Sequence, residues 1–275
     1  MSTPIPRTAA PPELSTPGLV LLFGQTPNGW KLTYALEALK QAGTLPDGYT
    51  VVPVYLQCRE QFQDWFIELN PNSKMPVLID NRRNKPRLVV FESGAILEYL
   101  ARLYDKQYLY TFKDDDLYQE MINWIHVCQT SLGPNQGQLN HFSRYTQVKC
   151  DYSLERFRTE VVRIYKLYDD HLSSREFLVG NRFSYADMCT QPWFRTLFWA
   201  SLNISQFPHV KRYTEMIESL PVVERALKVP EQDLVTRVKG TPGLEEEIME
   251  RMRKRREEEE EGNEQETSKK ENDTQ

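Results

Sequence analysis

The sequence predicts an α+β protein, a βαβαββα unit followed by an all-helical region. Three observations carry that prediction. Between residues 18 and 105, short apolar or β-branched runs alternate with stretches whose apolar residues keep helical spacing. Beyond the polar stretch 111–116 the strand signals stop, and amphipathic stretches cover 117–131, 154–172, 185–202 and 208–219. A 40% hydrophobic content with five Trp in 275 residues gives both regions enough apolar material for a core.

Each element has its own signal. Leu19-Val20-Leu21-Leu22-Phe23 is an apolar run with the pattern of a short buried strand. From Asn28, the residues Leu32, Ala35, Leu36 and Leu39 keep helical spacing until Ala42-Gly43 ends the helix. Residues 49–56 are β-rich, and Pro53 marks an edge position or an end. Residues 61–69 predict a short helix, and 76–79 and 87–91 two strands joined by a turn-like segment. Glu92-Ser93-Gly94 opens a helix with Ile96, Leu97, Leu100 and Tyr104 on one face. Residues 132–142, rich in Gly, Asn and Gln, read as a long break between helices.

These signals divide the chain into a flexible Pro-rich arm (1–17), the βαβαββα unit (18–105), a linker (106–116), the helical region (117–230) and a charged tail (231–275). In the tail, Thr241 is placed to cap a helix and Pro242 suits its first position, with acidic residues ahead of basic ones as the helix dipole favours. The last fifteen residues read as disordered.

Charge is concentrated at that end. Residues 244–275 hold 13 acidic and 7 basic residues, while 1–243 hold 26 acidic and 27 basic. A nearly neutral body argues against general nucleic-acid binding. Cys58, Cys128, Cys150 and Cys189 stand far apart and, with four scattered His, make no metal-binding spacing. The first 17 residues carry five Pro and no apolar core of a signal peptide, and no run of 18 apolar residues predicts a membrane span. The expected setting is a reducing, cytoplasmic one.

Four local features bear on chemistry. Thr26-Pro27-Asn28-Gly29, between strand and helix, suits a plain turn with a helix cap. The same loop offers an amide, a hydroxyl and a helix N-terminus, donors that would stabilise a thiolate and cannot abstract a proton. It contains no Cys, so a protein thiol does not cycle there. Met75-Pro76, after a polar turn and at the head of a strand, suits an ordinary strand entry or a cis bond that would expose the Met75 backbone to an extended ligand. Glu92-Ser93 at a helix start suits simple capping, or a carboxylate on the N–H groups and an ammonium on Glu92. His141, in the break between helices, suits a structural or a catalytic role.

Taken in order, Thr26-Pro-Asn-Gly-x-Lys31, Asn70-Pro-x-x-x-x-Pro76, Phe91-Glu-Ser-Gly-Ala-Ile96 and Leu132-Gly-Pro-x-x-Gly-Gln-x-x-His-Phe142 resemble the cytosolic glutathione transferases. The resemblance spans about 18–230 and is nearest to the nu-class bacterial enzymes and the fungal relatives of the yeast nitrogen-catabolite prion regulator. Phe177-Leu-Val-Gly-Asn-Arg-Phe-Ser-Tyr-Ala-Asp187 adds the family's capping box, in which Ser184 caps and Asp187 reaches back.

The resemblance implies a thioredoxin-like N-terminal domain, an all-α C-terminal domain, a homodimer and glutathione as co-substrate, with no metal. It implies that Thr26 and Asn28 face the glutathione sulfur as catalytic residues. It implies that Gln61 holds the glycine end, that Met75 pairs with the cysteinyl backbone across a cis Pro76, that Lys74 also belongs to the glutathione site, and that Glu92 and Ser93 bind the γ-glutamyl head. Arg156 inherits the role of an Arg that reaches the neighbouring subunit's glutathione. Trp30, Asn135 and His141 would line the second-substrate pocket, where Asn135 replaces the family's usual Met and makes the pocket more polar. The implied activity is reduction of small disulfides or conjugation to an electrophile. The alternatives are a fungal secondary-metabolism C–S bond-forming transferase and a catalytically weak glutathione-binding regulator.

Overall fold

The computed structural model describes residues 5–45, 47–81, 85–250 and 253. Four strands, β1 (Gly18–Phe23), β2 (Tyr49–Pro53), β3 (Val77–Asn81) and β4 (Leu88–Phe91), form one mixed sheet in the order β2-β1-β3-β4. β1 runs parallel to β2, while β3 is antiparallel to both β1 and β4. The register sets Leu21 opposite Val51 on one side and Leu78 on the other.

Side chains alternate across a strand, so β1 feeds two cores. Leu19, Leu21 and Phe23 join Leu78, helix α1 (Pro27–Gln41), helix α3 (Ser93–Tyr104) and the helical region in one continuous core. Val20 and Leu22 face the other way, onto Val52, Val54, Val77 and Ile79, with Trp65 and Phe66 of the one-turn helix α2 (Asp64–Ile67). Burial on both faces is why β1 reads as an unbroken apolar run. The helix expected over 61–69 is shorter than its pattern suggests: a 3₁₀ turn at Glu60–Phe62 precedes α2.

Residues 5–17, expected as a flexible arm, lie against this second face. Leu14 is 4% exposed, and the Asn81 amide donates to the carbonyls of Leu14 at 2.9 Å and Thr16 at 2.7 Å. Arg7 pairs with the buried Glu60, with Nη2 to Oε2 at 2.9 Å, and receives the Trp65 indole N–H on its carbonyl at 2.8 Å. Burial works to raise the Glu60 pKa, but the Arg7 side-chain hydrogen bond, the backbone N–H bonds from Tyr55 and Arg7 and the Arg7 charge together outweigh it and hold the carboxyl below its ordinary value. The Pro content that suggests flexibility also restricts the backbone, which lowers the entropy lost on docking.

The helical region holds α4 (Asp115–Val127), α5 (Gly133–Asn140), α6 (Asp151–Leu172), α7 (Tyr185–Phe194), α8 (Pro208–Glu218), α9 (Pro221–Ala226) and α10 (Leu234–Gly240). The break expected over 132–142 is helical. π-turns at Cys128–Leu132 and His141–Tyr145 join α4 and α5 into one run, so the Gly- and Gln-rich sequence builds a helix with widened turns in place of a loop. Gly133 lets α7 approach closely there, since a Cβ would lie 3.1 Å from the Trp193 ring. The stretch 185–202 is α7 followed by a separate 3₁₀ turn at Leu197–Ala200.

The capping box is present at the start of α7. Asp187 Oδ2 accepts from Ser184 N at 2.8 Å, and its other oxygen accepts from Leu178 N at 2.9 Å and the Tyr213 hydroxyl at 2.8 Å. Residues 231–240 pack on the body. Asp233 is 1% exposed and pairs with the buried Arg195 at 2.7 Å, while Arg195 also holds Glu218 at 2.9 Å. Residues 244–250 form a further helical segment, whose Glu245 reaches Arg144 at 2.7 Å.

Candidate functional site

The site is built where three loops meet at the C-terminal end of β1. α1 begins directly after β1, with Thr26 as its N-cap: the hydroxyl oxygen accepts from Gly29 N at 3.2 Å and keeps its own proton to donate. Asn28 is half-buried on the first turn. Gly29 makes this turn possible, because a Cβ there would stand 2.2 Å from the Gly24 carbonyl oxygen. Gly24 in turn is covered by the Met75 methyl group.

Met75 belongs to the second loop, and its peptide bond to Pro76 is cis. Asn70 organises this loop: its amide donates to the Lys74 carbonyl at 2.7 Å and its oxygen accepts from Asn72 N at 3.0 Å. Asn72 then donates to Glu92 Oε1 at 3.1 Å, which ties the second loop to the third. Lys74 is exposed.

Glu92 holds a left-handed backbone, φ +69°, immediately before α3. A non-glycine residue there costs about 1–3 kcal/mol and turns the chain sharply. Its side chain makes no cap bond, so the first N–H groups of α3 are left to other acceptors. Ser93, 4% exposed, stands at that helix start. Its Oγ accepts from Lys31 Nζ at 3.3 Å and from Gln129 Nε2 at 3.1 Å. Gln61, in the 3₁₀ turn before α2, carries a buried carbonyl oxygen without a partner.

The structure therefore places Thr26, Asn28, Met75, Pro76, Glu92 and Ser93 on three loops that are tied together by the Gly24–Met75 contact and the Asn72–Glu92 hydrogen bond. The remaining predicted residues lie elsewhere. Trp30 is 2% exposed, with the Arg195 guanidinium 5.1 Å over its ring and its indole N–H unpartnered. Asn135 and Arg156 share a cleft of about 370 Å³ between α5 and α6, lined also by Tyr152 and Phe157. The Asn135 amide donates to the Ser131 carbonyl at 2.8 Å. His141 is exposed on the second π-turn, edge-on to Phe142.

Family models for the N-terminal and C-terminal glutathione S-transferase domains match residues 23–102 and 149–221. A disulfide-bond oxidoreductase of Escherichia coli K12, YghU, is 33% identical over 82% of this chain and 77% of its own length. The chain belongs to the glutathione S-transferase family. Among solved glutathione transferases, a homolog from Lodderomyces elongisporus with two glutathione molecules per subunit superposes with a TM-score of 0.72 at 32% identity, covering 78% of this chain and 99% of that one. The transferase URE2P8 from Phanerochaete chrysosporium, solved with oxidized glutathione, gives 0.70 at 25% identity, covering 82% and 98%. The bacterial and Ure2p-like kinship expected from the motifs is thus present among this chain's relatives.

Sequence reasoning missed three residues at these loops. Lys31 and Gln129 hold Ser93, and Gln25 ties the loop before α1 to residues 231–234, accepting from Leu234 N at 2.6 Å and donating to Glu231 at 2.9 Å. A signal for Lys31 exists: it shares a helical stripe with Tyr34, Ala35 and Ala38, all fully buried. Gln129 likewise falls one turn after the buried Ile125. Among the described residues no group of three or more His, Cys, Asp or Glu gathers, and no helix is long and apolar enough to cross a membrane.

Proposed function

We propose that this chain binds glutathione in the corner between α1, the Met75–Pro76 loop and α3, and stabilises its thiolate for reduction of small disulfides. The observation that carries the reading is the start of α3. Uncapped N–H groups and the Ser93 hydroxyl suit a carboxylate, and Glu92 beside them suits an ammonium, which together complement the zwitterionic γ-glutamyl head. An extended peptide then passes the Met75 backbone toward Gln61, and its sulfur meets Thr26 and Asn28. The hydroxyl, the amide and the α1 N-terminus stabilise the sulfur anion.

The thiolate attacks one sulfur of a disulfide, the S–S bond breaks, and the departing thiolate takes up a proton. A second glutathione resolves the mixed disulfide, so two glutathione molecules leave as their disulfide and the substrate leaves as two thiols. The names of two Escherichia coli relatives support disulfide reduction, and the glutathione-bound homologs support the glutathione site. In a homodimer, Arg156 on the outer face of α6 would reach the partner's ligand, and the cytoplasm supplies the reduced glutathione.

Ser93→Ala should weaken glutathione binding by about 1–3 kcal/mol in titration calorimetry, the cost of an unpaired charged group. Turnover of 2-hydroxyethyl disulfide against an aryl halide separates reduction from conjugation. Unchanged affinity in Ser93→Ala refutes the site. Tight binding with no turnover of either substrate makes the chain a glutathione-binding regulator.

A further inference from the structure

Lys31 is an ammonium group sealed inside the protein, with 0% of the residue exposed. Its oxygen partners are Ser93 Oγ at 3.3 Å and the Gln129 side-chain carbonyl, and the Cys128 and Cys189 thiols also lie against it. Both oxygens are neutral. The described residues place no carboxylate within ion-pair distance of Nζ, whereas the other fully buried cation, Arg195, has Asp233 and Glu218. Taking a charge out of water without a counter-charge is among the most costly arrangements a fold can hold.

The groups packed on Lys31 come from three elements. Ser93 lies at the start of α3, Cys128 and Gln129 on the first π-turn, and Cys189 on α7. The thiols are the titratable neighbours: burial pushes Cys128 up, but its bond with Cys189 and the Lys31 charge bring it down to about 7, while burial drives Cys189 well up. Gln129 is held in place by Gly94, where a Cβ would stand 3.0 Å from Nε2.

This wiring fixes what Ser93 can do. A hydroxyl has two acceptor positions and one proton. Lys31 Nζ and Gln129 Nε2 both donate into Ser93 Oγ, which fills the acceptor positions, and the remaining proton faces Gln129 Oε1 at 3.3 Å, a long bond that an anionic acceptor would replace. A hydroxyl whose acceptor positions are filled, backed by a buried positive charge at a helix N-terminus, favours an anion.

We propose that Lys31 is the charge-specificity residue of the Ser93 site: its missing counter-ion is the α-carboxylate of the ligand's γ-glutamyl group, reached through Ser93 Oγ. The inference rests on the glutathione reading above and adds the source of its selectivity. Lys31 does not touch the ligand; it positions and polarises Ser93. The buried charge then has a purpose, since a ligand carboxylate offers it the full counter-charge that the neighbouring Cys128 thiol supplies only in part.

The test compares glutathione with its analogue lacking that carboxylate, 4-aminobutyryl-cysteinyl-glycine, by titration calorimetry at pH 6, where the Cys128 thiol is mostly protonated. Lys31→Met should lose about 10- to 100-fold in glutathione affinity and less than about 3-fold for the analogue, with a melting temperature of the unliganded protein equal to or above wild type. Gln129→Glu, which hands Lys31 an internal counter-ion, should show the same selective loss and decides the matter if Lys31→Met does not fold. Equal losses for both ligands, or no loss in either variant, overturn the role of Lys31 while leaving the glutathione site standing. A wild-type protein that binds neither ligand overturns both.

Discussion

Gly29→Ala adds one methyl group at the most crowded point of the site loop. The new Cβ would meet the Gly24 carbonyl oxygen at 2.2 Å and the Phe23 ring at 2.9 Å, whereas real Cβ contacts essentially never fall below 3.0 Å. The loop or the helix must therefore move by roughly 0.8 Å or more. Neither is free to do so. Phe23 is 2% exposed, and α1 from Gly29 to Leu39 is buried on every side, between the sheet and α7 and α9. Overpacking against fixed backbone belongs at the upper end of the usual range, about 3 kcal/mol. For a chain of this size that lowers the melting temperature by about 5–10 °C. In the proposed site the same shift would carry Asn28 off the glutathione sulfur by nearly 1 Å, and displacements of that size cost about 100-fold in rate. Thermal unfolding and disulfide-reductase kinetics read the two effects separately. Gly137→Ala is the control, since its nearest neighbour, the Trp193 ring, is 4.0 Å away, and it should be neutral or slightly stabilising. A Gly29→Ala protein with wild-type melting temperature and rate would refute the close-approach argument.

Other outcomes follow from the same geometry. Asn28→Ala should lose about 10-fold or more in rate and raise the pKa of the bound thiol, read from the pH–rate profile; if neither moves, Thr26 is the group that faces the sulfur. Asp233→Ala leaves Arg195 short of its buried partner and should cost about 3–5 kcal/mol by urea unfolding, while truncation after Gly240, which removes the Glu245 partner of Arg144, should cost about 1 kcal/mol or less. Burial works to raise the Asp233 pKa, but the Arg195 hydrogen bond and charge outweigh it and hold it below the ordinary value. The pair's stabilisation is accordingly full above about pH 4 and drains away as the pH falls through the lowered value, so acid titration should remove the wild-type advantage over Asp233→Ala. Replacing Cys58, Cys128, Cys150 and Cys189 together should leave turnover intact in a folded variant, because none lies on the site loop; a folded but inactive protein would restore a protein-thiol mechanism.

The strands and most helices were legible because period-2 and period-3.6 patterns survive wherever an element has a buried face. Pro76 at a strand head and Glu92-Ser93 at a helix start were legible for the same local reason: loop chemistry is written in adjacent residues. The continuity of α4 and α5 was hidden, since Gly and Gln in a helix pass for a loop unless the close approach of Trp193 is known. The docked arm was hidden in another way. Its anchors, Arg7 and Leu14, find Glu60 and Asn81 only after the chain has folded. Lys31 shows the deepest limit, because a lysine is ordinarily read as solvated, and its burial depends on α3 and α7 closing over α1.

The bond between Gln25 and the Leu234 amide joins positions 209 residues apart. On a ribosome that separation is also a delay. At about 5–20 residues per second, roughly 10–40 s pass between the emergence of the two ends, during which β1, α1 and the rest of the sheet can already pair. The loop between β1 and α1 is therefore among the first parts synthesised and the last to be fastened, and a nascent chain halted before residue 234 would carry a formed sheet with an untied loop at its edge. Protease cleavage beside Gln25 in such stalled chains, and its disappearance once α10 has emerged, would date the maturation of the site within translation.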